Sequence, residues 1–305
     1  MNKLQRSWLL LKSSLAVIAR NKLLLVFPIT IFLCTTAIIL FFLAPPVLRP
    51  TGHSYLSAEH WQAIGHSLFR SADAGAGRSQ IVFSPMAMGY LAFLYLLSMF
   101  IATFCNVAFY HEILGALRGE PVSIVRGVRF ACSRVSSILM WSLFAGLVGL
   151  LIKVIEERMP LVGRIIGRII GLAWSIAAVF SIPVIVREEQ NANPIAVLRR
   201  SAGVLKRTWG EALIGYVGLS FANGIIFAAS FVSLLAAIAA LVAIHFYWLI
   251  PVAVLGWLLG LFVWAYLTGV ASHVYRGALY LYAAEGVIAE PYNQEMLDMA
   301  WKYKN

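Results

Sequence analysis

The sequence predicts an all-α protein that crosses a membrane six times, and three observations carry that prediction. Of the 305 residues, 61% are hydrophobic and only 12% are charged, whereas soluble domains carry about 25% charged residues. Several apolar runs reach the roughly 20 residues that a helix needs to cross hydrocarbon. The longest run, residues 212–272, contains no Asp, Glu, Lys or Arg. We therefore expect a single integral membrane domain over residues 1–305.

Six apolar segments are the predicted spans. The first four cover residues 23–44, 84–110, 136–152 and 165–186. In the long uncharged run, His245 and the three aromatic residues after it indicate an interfacial turn, with the fifth and sixth spans on either side. Division of that run into three short spans is an alternative, but it leaves no room for a polar turn. Leu23–Ala44 is longer than the 7–15 apolar residues of a signal peptide, so we expect the first span to be retained.

The basic residues predict the orientation of the spans. Seventeen Lys and Arg residues lie in the segments 1–22, 111–135, 187–210 and 273–305, on the side of both termini. Seven lie in the segments 45–83 and 153–168, on the other side. Because cytoplasmic loops carry the excess of Lys and Arg, both termini are expected in the cytoplasm.

The outer loop, residues 45–83, is the one sizeable polar segment between spans. Ser57 is a suitable N-cap for a short helix over about 58–70. The Ala-, Gly- and Ser-rich stretch Ser71–Ser79 is typical of a flexible turn. A metal site at His53, His60 and His66 is disfavoured, because no HxH or HxxxH spacing occurs.

An internal repeat organises the rest of the chain. Three times an acidic residue or Asn precedes a proline after a span, and each pair is expected to begin a helix: Glu120-Pro121, Asn193-Pro194 and Glu290-Pro291. The predicted architecture is three helical hairpins, each preceded by an interfacial amphipathic helix, in repeat units of about 1–110, 111–190 and 191–285. The less basic cytoplasmic tail, residues 286–305, is expected to cap the bundle.

Two of the amphipathic helices carry the candidate lipid- or anion-binding residues. Such helices lie flat, with the basic side toward anionic headgroups. In the second unit the basic residues are Arg126, Arg129 and Arg134, and in the third they are Arg199, Arg200, Lys206 and Arg207. Anchoring of the bundle at the membrane surface, without any further function, explains the pattern equally well.

Glycine spacing and two further arginines complete the candidate sites. Small residues four apart allow close helix packing, and they occur at Gly163, Gly167 and Gly171 and at Gly256 and Gly260. Packing within the chain is favoured over a homo-oligomer face. Arg164 and Arg168 share one face near Glu156 and Glu157. Snorkelling of these arginines is favoured over an outer-leaflet phosphate site.

Short motifs show a resemblance to known membrane proteins. The stretch Pro194–Ser201 and its continuation to Trp209 resemble uncharacterised bacterial polytopic proteins, which share a pattern with the membrane domain associated with glycerophosphodiester phosphodiesterases. The segments Arg6–Lys12, Phe104–Ala108 and Thr208–Ala212 are similar to one subgroup, a domain of unknown function. The resemblance implies a bacterial inner-membrane protein and no catalytic residues.

The function predicted first is non-enzymatic. No Walker, GxSxG, HExxH or dinucleotide-binding motif occurs in a suitable context, and we expect no cofactor, no metal and no nucleic acid. The expected partners are anionic membrane lipids, with a membrane protein or a second copy as further possibilities. The alternatives are a transporter or channel for small or amphiphilic solutes, and an intramembrane lipid-modifying enzyme.

Overall fold

A computed structural model describes residues 3–73, 79–158, 161–187 and 193–298. These residues form helices apart from connecting turns and one two-stranded hairpin, and the predicted all-α transmembrane bundle is confirmed. The elements are α1 (Lys3–Arg20), α2 (Val26–Val47), α3 (Ala58–Leu68), β1 (Phe69–Asp73), β2 (Ser79–Phe83), α4 (Pro85–Ala116), α5 (Ile124–Ser133), α6 (Val135–Arg158), α7 (Leu161–Ala177), α8 (Ser181–Arg187), α9 (Pro194–Ala243), α10 (Ile250–Glu285) and α11 (Gln294–Asp298).

Six stretches of the described chain are long and apolar enough to cross a membrane, as predicted. They are Lys22–Pro45, Pro85–Ala116, Val135–Glu156, Ile165–Arg187, Ile226–Ala243 and Tyr247–Glu285. The long uncharged run is interrupted only between α9 and α10, where His245 has a φ of 57°. The predicted turn is therefore confirmed, and the alternative with three short spans is wrong.

The spans pair as antiparallel helical hairpins. Aromatic contacts join the start of α2 to the end of α4 and the end of α2 to the start of α4, and similar ring pairs join the other two hairpins. Ring centroids lie 5.4–6.3 Å apart in the pairs Phe27–Phe109 and Phe42–Tyr90 (α2 with α4), Trp141–Trp174 (α6 with α7) and Phe231–Trp257 (α9 with α10). Geometry of this kind stabilises aromatic pairs beyond simple burial.

The buried core lies at one end of the bundle, which we call the terminal face because α1, α5, the start of α9 and residues 286–298 pack there. In α10 the described buried residues all fall between Thr268 and Leu281, near the C-terminal end of that helix. The opposite halves of the spans expose large apolar side chains, such as Phe41 at 71% and Phe262 at 72%. Exposed apolar area on this scale suits hydrocarbon rather than water.

Of the three acidic- or Asn-Pro pairs, only Asn193-Pro194 begins a helix as predicted. Asn193 accepts a hydrogen bond from the Ile195 N–H at 2.9 Å. Helix α5 begins three residues after Pro121 and is capped by Ser123, because the Glu120 carboxylate pairs with an arginine instead. Helix α11 begins at Gln294, with Asn293 accepting from the Met296 N–H at 2.8 Å.

The loop between α2 and α4 contains more regular structure than the sequence predicted. Ser57 caps α3 as expected, accepting from the His60 N–H at 3.3 Å. The predicted flexible turn at 71–79 is wrong at its described ends, because residues 69–73 and 79–83 pair as antiparallel strands. The buried His60 ring bonds through Nδ1 to Thr51 at 2.7 Å and through Nε2 to the Val47 carbonyl at 3.2 Å, so both ring nitrogens hold α3 against the end of α2.

Candidate functional site

A fully buried carboxylate on the terminal face accepts three hydrogen bonds. Glu112, near the end of α4, is fully buried. Its carboxylate accepts from Arg126 Nε and Nη2, both at 2.9 Å, and from the Ser123 N–H at 2.6 Å. Arg126 also lies 3.3 Å from Glu120. The two carboxylates, chiefly Glu112 through its hydrogen bonds, raise the pKa of Arg126 above its usual value. Bidentate pairing of this kind fixes the geometry as well as the charge.

A glycine allows α5 to approach close enough for this pair. A Cβ atom at Gly127 would lie 2.9 Å from the Ala108 carbonyl oxygen and 3.0 Å from Glu112 Cγ. The buried face of α5 is thus Gly127 and Ala131, rather than its valines. Sequence reasoning missed both Glu112 and Gly127. The available signal was the acidic residue at the end of an otherwise apolar span, which requires a partner.

A second carboxylate joins the ends of three spans. Glu285, the last residue of α10, binds Arg118 just after α4 and Arg187 at the end of α8. Arg187 Nε lies 2.7 Å from Glu285 Oε1, and its Nη2 lies 3.0 Å from Oε2. One acidic side chain therefore links all three hairpins at the terminal face.

Within the predicted tail, the described residues 286–298 pack against α1. The hydroxyls of Ser14 and Tyr292 are hydrogen-bonded at 2.7 Å, and both residues are buried. Burial raises the pKa of Tyr292. Leu297 is also buried, and Ser13 donates to the sulfur of Met296 at 3.8 Å.

The first turns of α9 bury their apolar side within the bundle. Val197, Val204 and Leu205 are buried, together with Ser201. The Ser201 hydroxyl accepts from the Phe180 N–H at 3.0 Å at the break between α7 and α8. The predicted interfacial helix and the fifth span form one continuous helix of 50 residues, about 75 Å long at 1.5 Å per residue. We expected the apolar side of this segment to face lipid. Leu205 is instead buried and Leu198 packs against the core, whereas Ile195 is 56% exposed.

The structure places the seven sequence-predicted arginines and lysines of the second and third amphipathic segments in different environments. Arg126 is the residue paired with Glu112. The Arg134 guanidinium lies 5.4 Å from the Phe130 ring, and its Nη1 is buried without a hydrogen-bond partner among the described residues. The side chains that are exposed to the surroundings of the terminal face are Arg129, Arg199, Arg200, Lys206 and Arg207.

The glycine and arginine candidates at the α6–α7 hairpin are only partly brought together. A Cβ at Gly167 would lie 2.5 Å from Glu156 Cγ, and one at Gly171 would lie 3.5 Å from Ile152, so the two helices pack closely there. Arg168 is exposed and forms no ion pair with a described residue. The surroundings of Gly163, and the side chains of Arg164 and Glu157, lie outside the described residues.

The remaining glycine pair, Gly256 and Gly260, has no close neighbour in the described part of the chain. A Cβ at Gly256 or Gly260 would meet nothing within 4 Å in the described part of the chain. These two glycines do not mediate a close helix contact within it, and a homo-oligomer face at this position stays a prediction.

Several polar groups in the described parts of the spans bond locally or to a neighbouring helix. Asn106 donates to the Ala102 carbonyl at 2.8 Å within its own helix, and Thr268 does the same to Trp264 at 2.9 Å. The Tyr110 hydroxyl lies 3.0 Å from His273 Nδ1, which joins α4 to α10. Sequence reasoning overlooked this last pair.

The comparisons with known proteins give one match. A model described as a family of unknown function matches residues 86–289, from the start of α4 to the turn after α10. No curated protein and no solved structure matches the chain.

Proposed function

Because the chain belongs to that family of unknown function, DUF6159, we propose its role from the geometry: a non-enzymatic integral membrane protein whose terminal face binds anionic lipid headgroups. The proposed location is the bacterial inner membrane, with both termini in the cytoplasm. The excess of Lys and Arg on the terminal side supports this orientation. The role is lipid-associated organisation of the membrane, or assistance to another membrane complex.

The observation that carries the proposal is an apolar stripe on α5 that the bundle leaves uncovered. Val125 is 67% exposed and Val128 is 41% exposed, and Cys132 on the same side is exposed as well. The exposed Arg129 lies four residues after Val125 and therefore on the adjoining surface. A short helix with uncovered valines beside an arginine is suited to the boundary between acyl chains and headgroups.

The start of α9 adds positive charge to the same face. Its buried side is turned to the bundle, and Arg199, Lys206 and Arg207 are exposed on the remaining surface. None of the three forms an ion pair with a described residue. Each basic side chain near an anionic membrane surface contributes about 1 kcal/mol to association.

Lipid retention tests the proposal. We expect Arg199→Gln/Lys206→Gln/Arg207→Gln to retain several-fold less phosphatidylglycerol after purification in detergent, measured by lipid extraction and mass spectrometry. The matched control is Arg49→Gln/Lys153→Gln, which removes basic residues at the opposite end of the bundle. Equal retention by the two variants would contradict the proposal.

No contact among the described residues favours the two alternative functions, a transporter or channel and a lipid-modifying enzyme. A transporter requires polar groups that line a path through the spans, whereas Asn106 and Thr268 bond to carbonyls of their own helices. The lipid-modifying enzyme was expected to use Arg164, Arg168, Glu156 and Glu157 together. Of these, Arg168 and Glu156 have described side chains, and the two form no ion pair with each other.

A further inference from the structure

A groove on the terminal face has the size and the charges of a headgroup site. It lies between the end of α1, the turn after α4 and the turn after α10, and its volume is about 630 Å³. Small-molecule sites typically enclose roughly 300–1,000 Å³. The three segments that form it adjoin spans that begin at Lys22 or end at Ala116 and Glu285. The groove is therefore at the level of the lipid headgroups.

Backbone geometry keeps the groove open. Gly119 in the turn after α4 has a φ of +84°, and Gly286 after α10 has a φ of +69°. Both lie in the left-handed region that favours glycine. Gly119 thus lines the groove without a side chain, and Gly286 directly precedes the lining residues Val287 and Ile288.

The charges that line the groove are balanced, and two of them lack a partner. Arg118 is bound to Glu285, and Glu120 lies 3.3 Å from Arg126. The other two, Arg20 and Glu290, are exposed and form no ion pair with each other or with another described residue. A positive and a negative group therefore line the same groove without pairing with each other.

We propose that this groove binds a phospholipid headgroup that carries both a phosphate and a primary ammonium, the chemistry of phosphoethanolamine. Arg20 binds the phosphate, since guanidinium groups form charge-assisted hydrogen bonds with phosphate oxygens. The Glu290 carboxylate accepts hydrogen bonds from the ammonium. An anionic headgroup without an amine leaves Glu290 unpaired, so the site discriminates against it.

The apolar part of the groove favours a lipid over a soluble phosphate compound. Val287 and Ile288 line it and are 40% and 38% exposed. Two adjacent aliphatic side chains at headgroup level can contact the glycerol and the first methylene groups of a lipid. The inference rests on the proposed lipid-associated role of the terminal face, and it assigns a different headgroup to a different set of residues.

Binding of three lipids to the purified full chain tests the inference. In native mass spectrometry we expect phosphatidylethanolamine to bind about tenfold more tightly than phosphatidylglycerol at this site, since one charge-assisted contact is at stake. Phosphatidylcholine should bind more weakly than phosphatidylethanolamine, because its trimethylammonium group cannot donate a hydrogen bond. Similar binding of all three lipids by the unaltered protein would overturn the assignment.

Two single variants test the roles assigned to Glu290 and Arg20. Glu290→Gln should abolish the preference for phosphatidylethanolamine over phosphatidylglycerol, while Arg20→Gln should weaken both lipids. Lys12→Gln, an exposed basic residue on α1 outside the groove, is the control and should bind as the unaltered protein does. Retention of the full preference in Glu290→Gln would refute the site.

Further measurements distinguish a lipid from a soluble phosphate compound, and the groove proposal from the anionic-surface proposal. Displacement of the lipid by equimolar soluble phosphoethanolamine would overturn the lipid assignment, and failure to displace supports it. The triple variant of Arg199, Lys206 and Arg207 should keep the preference for phosphatidylethanolamine in the groove, although it retains less phosphatidylglycerol in total. Failure of the lipid-retention test with an intact effect of Glu290→Gln would remove only the anionic-surface proposal.

Discussion

Removal of Arg126 should destabilise the bundle far more than removal of its neighbour Arg129. In Arg126→Met the fully buried Glu112 carboxylate keeps only the Ser123 N–H of its hydrogen bonds. Breaking one side of a buried pair costs about 3–5 kcal/mol. Because Arg126 is itself 36% exposed, water reaches the site and screens the charge. We therefore expect a loss of about 2–4 kcal/mol in the free energy of unfolding.

The double-mutant cycle separates pairing from desolvation. Glu112→Met should cost about 1–2 kcal/mol, since the freed arginine still contacts water and Glu120. Glu112→Met/Arg126→Met buries no charge and should be about as stable as Glu112→Met alone. The resulting coupling energy is about 2 kcal/mol or more, well above the range of exposed pairs.

Unfolding of the purified protein in mixed micelles of mild detergent and dodecyl sulfate, followed by circular dichroism, measures these free energies. Arg129→Met is the matched control, because Arg129 is on the same helix, exposed and unpaired among the described residues. If Arg126→Met lost no more stability than Arg129→Met, or if the coupling energy fell below about 0.5 kcal/mol, the pair could not be the anchor of α5.

Two further predictions use the same unfolding assay. Glu285→Gln deprives Arg118 and Arg187 of their shared carboxylate, and the free energy of unfolding should fall by about 1–2 kcal/mol because all three groups are partly exposed. The difference from the unaltered protein should shrink at high salt. A salt-independent loss would contradict an ionic origin. Gly127→Ala places a methyl group 2.9 Å from a carbonyl oxygen of α4 and should lower the free energy of unfolding by about 1–3 kcal/mol. The control Gly203→Ala, where a Cβ meets nothing within 4 Å, should be neutral or slightly stabilising. A larger loss of stability in Gly203→Ala than in Gly127→Ala would refute the close approach of α5.

Composition and spacing were sufficient for the spans, because the bilayer imposes one length and one composition on every crossing. The turn at His245 could be located for the same reason: a long uncharged run must leave the hydrocarbon once for each pair of spans. Helix starts were harder to predict. At Asn193-Pro194 the capping side chain is free to bond the backbone, but at Glu120-Pro121 a tertiary ion pair with Arg126 takes the carboxylate.

The candidate site was less accessible to sequence reasoning, because amphipathicity does not say which apolar side is buried. On α5 the glycine and alanine side packs and the valines remain exposed, whereas on α9 the valines pack. The difference depends on Glu112, whose burial draws α5 onto α4 through residues 14 positions away along the chain. A hydrophobic pattern carries no information about such a partner, and Arg126 was grouped with the lipid-facing arginines for this reason.

The polar contacts of the terminal face follow from the physics of helices in lipid. Hydrocarbon solvates apolar side chains as well as a protein interior does, so specific association of helices depends on close packing and on hydrogen bonds. The contacts of Glu112, Glu285 and Tyr292 meet this need where the spans leave the hydrocarbon. Arg129, Arg199, Lys206 and Arg207 take no part in these contacts. Neutralising them should therefore leave the fold intact, and a change in lipid binding can be assigned to the surface itself.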